Sequence, residues 1–65
     1  MVIKNKIREL RKNMDLTQES LAKKVGVSRQ TINAIENEKY NPSLELALKL
    51  GEIFDEPVDD IFNIP

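Results

Sequence analysis

Arg29, Gln30, Thr31 and Asn33 fall within five consecutive positions of a 65-residue chain. Each carries a side chain that hydrogen-bonds in defined directions. Arginine grips guanine O6 and N7 through two parallel bonds, and glutamine or asparagine does the same to adenine N6 and N7. Threonine adds a hydroxyl that donates or accepts. Gathered on one short helix, these types suit the reading of base edges in a major groove. A solvated helix surface would carry the same types, so the elements that position them must decide.

Residues 16–37, LTQESLAKKVGVSRQTINAIEN, read as two short helices joined by a tight turn. Thr17 is placed to cap the first, and Leu21, Ala22 and Val25 form its apolar stripe. Gly26 follows at once, where a chain leaving a helix needs a positive φ that glycine adopts without penalty. Ser28 is placed to cap the second helix, whose inward side chains are Ile32 and Ile35, with Ala34 beside them. Arg29, Gln30, Thr31 and Asn33 then face outward. The pattern is a helix-turn-helix that presents a polar reading row.

The flanks supply the frame. Ile3, Ile7, Leu10 and Met14 recur at intervals of four, three and four, which predicts a first helix over residues 4–13. Residues 1–3 before it suit a short strand, and Met14 and Asp15 make the turn into the motif. Residues 38–42 read as a loop, because the residue before Pro42 disfavours helix. Ser43 is placed to cap a further helix carrying Leu44, Ala47, Leu48, Leu50, Ile53 and Phe54. Gly51 inside it costs about 1 kcal/mol relative to alanine, which suggests close packing. Pro57 starts a last helix over residues 58–62, and the tail Asn63, Ile64, Pro65 is placed to pair with the first residues. The expected fold is all-α: one five-helix domain over residues 1–65, with short terminal β-strands.

Composition narrows the function. A chain this short buries a small core and is marginally stable. It has no cysteine and no histidine, so disulfides and the usual zinc ligand sets are excluded, and a cytosolic setting is expected. Ser20 and Ser28 lack an evident base, so no enzyme and no cofactor are expected. No apolar run exceeds three residues, which leaves neither a membrane span nor a signal peptide in MVIKNKIREL. Asp55, Asp59 and Asp60 read as the solvated start of a helix, where negative charge is favoured, and not as a metal cluster. The net charge of −1 hides an asymmetry: residues 1–40 hold nine Lys/Arg against five Asp/Glu, and residues 41–65 one against six. Phosphate attraction depends on charge within a Debye length of roughly 10 Å, so the local excess counts.

With Leu16-Thr17-Gln18, Leu21-Ala22, Val25-Gly26-Val27-Ser28, Ile32, Ile35-Glu36 and Pro42 in place, the chain resembles the Cro/C1-type helix-turn-helix family of transcriptional regulators. The likeness spans about residues 7–62. Through SRQTIN and KYNPSLELAL it is most similar to compact stand-alone members. The resemblance implies a lambda-repressor-like domain whose partner is a double-stranded DNA operator. It implies that Gln18 binds a phosphate and supports the reading helix. Ser28, Arg29, Gln30, Thr31 and Asn33 would lie at the groove, and Asn37, Lys39 and Asn41 would touch the DNA backbone. Arg11 and Glu36 match the family's partly buried ion pair between the first helix and the reading helix. The chain departs from some members at Ala34, where a longer base-reading side chain occurs, and at Glu38, where asparagine or glycine is frequent.

The expected function is sequence-specific regulation of transcription, as a repressor on an inverted-repeat operator. A homodimer is expected, because one reading helix covers too few base pairs for useful selectivity. Its interface would use apolar residues that a five-helix core cannot absorb, Leu44, Val58, Ile61 and Ile64, with Asn41 and Pro42 in the loop nearby. A second reading is a protein-interaction module of antitoxin or adaptor type, whose acidic second half meets a protein partner. Steep weakening of DNA binding by salt separates the two. No stretch reads as a small-molecule-sensing domain, so control would come from concentration, a partner protein or DNA occupancy.

Overall fold

The three longest helices each begin under a hydroxyl. In a computed structural model, which describes residues 3–65, the order is β1 (Lys4–Asn5), α1 (Ile7–Asn13), α2 (Gln18–Val25), α3 (Arg29–Glu36), α4 (Leu44–Phe54), α5 (Val58–Ile61) and β2 (Phe62–Asn63). Thr17 Oγ1 accepts from Ser20 N at 3.0 Å and Ser20 Oγ accepts from Thr17 N at 2.9 Å, a reciprocal cap on α2. Ser28 and Ser43 cap α3 and α4 through Thr31 N and Leu46 N. Such caps matter because α2 and α3 are eight residues each, too short to persist alone in water.

Between them Gly26 takes φ +76°, and Val27 N reaches back to Ala22 O at 3.0 Å. The core is Ile7, Leu21, Ala22, Val25, Ile32, Ile35, Leu46, Ala47, Leu50, Phe54, Ile61 and Phe62. Gly51 sits close to the chain beyond α4: a Cβ there would lie 3.1 Å from the Glu56 carbonyl oxygen. Among the described residues no helix is long and apolar enough to cross a membrane.

Several expectations need correction. The first helix starts at Ile7, not residue 4. Asn5 Oδ1 accepts from Ile7 N at 3.1 Å, and the backbone before it is drawn into the antiparallel pairs Lys4 with Asn63 and Asn5 with Phe62. The strand therefore lies after the expected 1–3, of which Met1 and Val2 fall outside the described residues. Met14 is exposed rather than continuing the stripe of α1. α5 ends at Ile61, and Phe62 opens β2. Ile61 lies in the monomer core and so leaves the set of interface candidates. Leu44 and Leu48 face outward, with Leu44 75% exposed, while Leu46 takes the buried place. Leucines at alternate positions surround a helix of 3.6 residues per turn, and only one side of it can meet the core.

Left-handed backbone offers a test. Gly26→Ala meets no steric obstacle, so its cost is conformational, about 1 kcal/mol. Glu38 holds φ +61° without glycine's freedom, and Glu38→Gly should gain a similar amount. In thermal melts the first variant should fall and the second rise, each by roughly 4–8 °C.

Candidate nucleic-acid interface

The Glu36 carboxylate closes α3, and donors from two other helices, α1 and α2, converge on it. Arg11 of α1 grips both oxygens, Nε to Oε2 at 2.8 Å and Nη2 to Oε1 at 3.2 Å. Oε1 also accepts from Arg8 Nε at 3.3 Å and from Gln18 Nε2, at the start of α2, at 3.1 Å. Arg11 uses its third nitrogen on the Leu16 carbonyl oxygen at 2.9 Å, anchoring the turn that leads into α2. Glu36's side chain has no accessible surface and that of Arg11 is 11% exposed, so the pair is almost entirely withdrawn from water.

Burial raises the carboxyl pKa of Glu36, but the hydrogen bonds from Arg11 and Gln18, the Arg11 charge and the Arg8 hydrogen bond outweigh it. The carboxyl therefore titrates below its ordinary value. Donation to the ionised form wins over desolvation.

Around this anchor, α3 turns Ile32 and Ile35 inward and leaves Arg29, Gln30 and Asn33 exposed, with Thr31 half-buried. Ser28 and Thr31 share a hydroxyl–hydroxyl bond of 3.0 Å at the start of the helix. Gln18 is half-buried and joined to α3 at two points, since its Oε1 also accepts from Asn33 Nδ2 at 3.4 Å. A concave surface beside it is lined by Arg11, Lys12, Thr17, Gln18 and Arg29. Asn37 is exposed just past α3, where its Nδ2 donates to the Asn33 backbone oxygen at 2.9 Å. Lys39 is exposed, and Asn41 Oδ1 accepts from Ile3 N at 3.3 Å, so Asn41 also ties the start of the chain to the loop.

Two residues were not anticipated in these roles. Arg8 bridges Glu36 and Asn37, the latter through Nη2 to Oδ1 at 3.2 Å. Asn5 donates to the Ile35 carbonyl oxygen at 2.8 Å and so caps the end of α3 from β1. Only the asparagine two positions before Ile7 hinted at a local turn, and nothing in its spacing pointed to Ile35.

Glu36 supplies a pH test. The unfolded carboxyl, near 4.5, takes up its proton before the folded one. Its stabilisation is fully present above that value and is lost as pH falls through the lower folded value. Melting temperature should therefore drop across that acid window in the wild type, and Glu36→Gln should flatten this part of the profile. Glu36→Ala at neutral pH strands Arg11 and should cost about 3–5 kcal/mol, read as a large loss in melting temperature.

A helix-turn-helix family profile matches residues 7–61. An HTH-type transcriptional regulator of Methanocaldococcus jannaschii is 57% identical over 60 residues, covering 92% of this chain and 91% of that protein. The cryptic phage CTXphi transcriptional repressor RstR of Vibrio cholerae is 36% identical over 59 residues, covering 91% of this chain and 53% of RstR. Among solved structures, the restriction-modification controller protein C.AhdI from Aeromonas hydrophila superposes with a TM-score of 0.77 at 34% identity, covering 85% of this chain and 83% of that one. The chain belongs to the helix-turn-helix family of Cro/C1 type, which are DNA-binding transcriptional regulators and not enzymes.

Proposed function

We propose that the chain is a repressor that binds an inverted-repeat operator as a homodimer, with α3 in the major groove. The observation that carries this reading is the outward row of Arg29, Gln30 and Asn33 on a helix whose opposite face is locked into the core. Arg29 and Gln30 read base edges, Ser28, Thr31 and Asn33 flank them, and Gln18, Asn37, Lys39 and Asn41 meet the DNA backbone. Similarity to RstR, a phage transcriptional repressor by name, favours repression.

Size favours two copies. The body measures 27 × 23 × 20 Å, too short for one copy to reach two successive major grooves about 34 Å apart. The interface draws on Leu44 and Ile64, which are exposed, with Asn41, Pro42 and the half-buried Val58. Leu48 joins Leu44 one turn along the outer face of α4. The same exposed apolar residues suit the second reading, a module that docks on a protein partner and binds DNA only secondarily. Salt dependence of DNA binding separates them.

Selection from a random DNA pool should enrich an inverted repeat, and sedimentation at micromolar concentration should give a dimer on that site. Arg29→Ala should relax preference at one base pair of each half-site, by about 1–3 kcal/mol of discrimination. An equal loss of affinity for every sequence would make Arg29 a phosphate contact instead. Absence of any enriched site would favour the protein-docking module.

A further inference from the structure

The side-chain amides of Gln18, Asn33 and Asn37 belong to a closed ring of hydrogen bonds. Arg8 Nη2 donates to Asn37 Oδ1 at 3.2 Å. Asn37 Nδ2 donates to Asn33 Oδ1 at 3.1 Å, and Asn33 Nδ2 to Gln18 Oε1 at 3.4 Å. Gln18 Nε2 donates to Glu36 Oε1 at 3.1 Å, and Arg8 Nε returns to the same oxygen at 3.3 Å. The two charged members give the ring one direction. A guanidinium only donates and an ionised carboxylate only accepts. Turning over any one of the three amides would set donor against donor and acceptor against acceptor.

We propose that Arg8 is a positioning residue for base reading, fixing through Asn37 which edge of the Asn33 amide faces the DNA. This rests on the reading of α3 as the base-contacting helix and adds to it a base contact for Asn33, beside those of Arg29 and Gln30. Asn33 is exposed, and its ring bonds use one Nδ2 hydrogen and one lone pair of Oδ1. The second hydrogen and lone pair are held on fixed sides, the arrangement that adenine N7 and N6 require of an asparagine. Without Arg8, Asn37 loses the donor that holds its oxygen and keeps only its Nδ2 bonds to Asn33. The ring opens at that end, and the Asn33 amide is held less firmly, by the 3.4 Å bond to Gln18 and an unbraced Asn37. Arg8 is suited to this work because its side chain is 53% exposed while Glu36 keeps Arg11 and Gln18. Its loss therefore disturbs the ring more than the fold.

Arg8→Met tests the inference, since it keeps the aliphatic stem and removes the donors. In the free protein, NMR should find faster hydrogen exchange at the side-chain amides of Asn33 and Asn37. In selection from a random DNA pool, the variant should enrich the wild-type site with preference reduced about fivefold or more at the one base pair per half-site read by Asn33. Unchanged amide exchange would overturn the ring. A uniform loss of affinity with all preferences intact would make Arg8 a phosphate contact and overturn its positioning role. If the wild type itself enriches no site, the proposed function falls and takes the base-reading role with it, whereas the exchange measurement still judges the ring by itself.

Discussion

A single buried carboxylate holds α3 in place. Glu36 can only accept hydrogen bonds, and its side chain is closed to water, so it must be met by donors or lose its charge. Arg8 and Arg11 come from α1 and Gln18 from α2, and all four of their bonds end on the last residue of α3. Three helices are thereby referred to one point. The apolar core contributes more in bulk, since burying Ile or Leu is worth about 1.5–3 kcal/mol each. That force has no direction. Ile32 and Ile35 would tolerate small rotations of α3 that the bidentate Arg11–Glu36 geometry does not.

Short helices make such fixing necessary. Eight residues form barely two turns, so α3 takes its stability from what meets its ends and its inner face. Ser28 holds the start, and Asn5 donates to the Ile35 carbonyl near the finish. Asn5 is itself placed by the pairing of β1 with β2, so the two chain ends contribute to the posture of α3. A strand pair of two residues each is negligible as a sheet. Its effect here is to carry Asn5 to the end of α3.

Charge follows the same division of labour. The concave surface at the start of α2 is bordered by Lys12 and Arg29 and also by Asp15 and Glu19, while the acidic side chains of residues 41–65 belong to α4, α5 and the segments around them. A net charge of −1 thus coexists with an excess of nine Lys/Arg over five Asp/Glu in residues 1–40, and screening confines each group's influence to its surroundings.

The sequence alone determined what depends on neighbours within a turn or two. Thr17, Ser28 and Ser43 announced their helices because a hydroxyl caps an amide three residues on, and Gly26 announced the turn because its backbone is left-handed. The outward row of α3 followed from the inward placing of Ile32 and Ile35. The Arg11–Glu36 pairing was legible only through family resemblance, since 25 residues separate the partners. Tertiary structure decided the rest. It chose Leu46 over Leu44 and Leu48 in a helix with leucines on every side, and it took Ile61 into the core and turned Phe62 into a strand. It also brought Arg8 to Asn37 and Asn5 to Ile35, across 29 and 30 residues. Local rules act through backbone geometry that a few residues define, whereas these choices depend on which surfaces meet once the chain has closed, and no spacing along the chain records that.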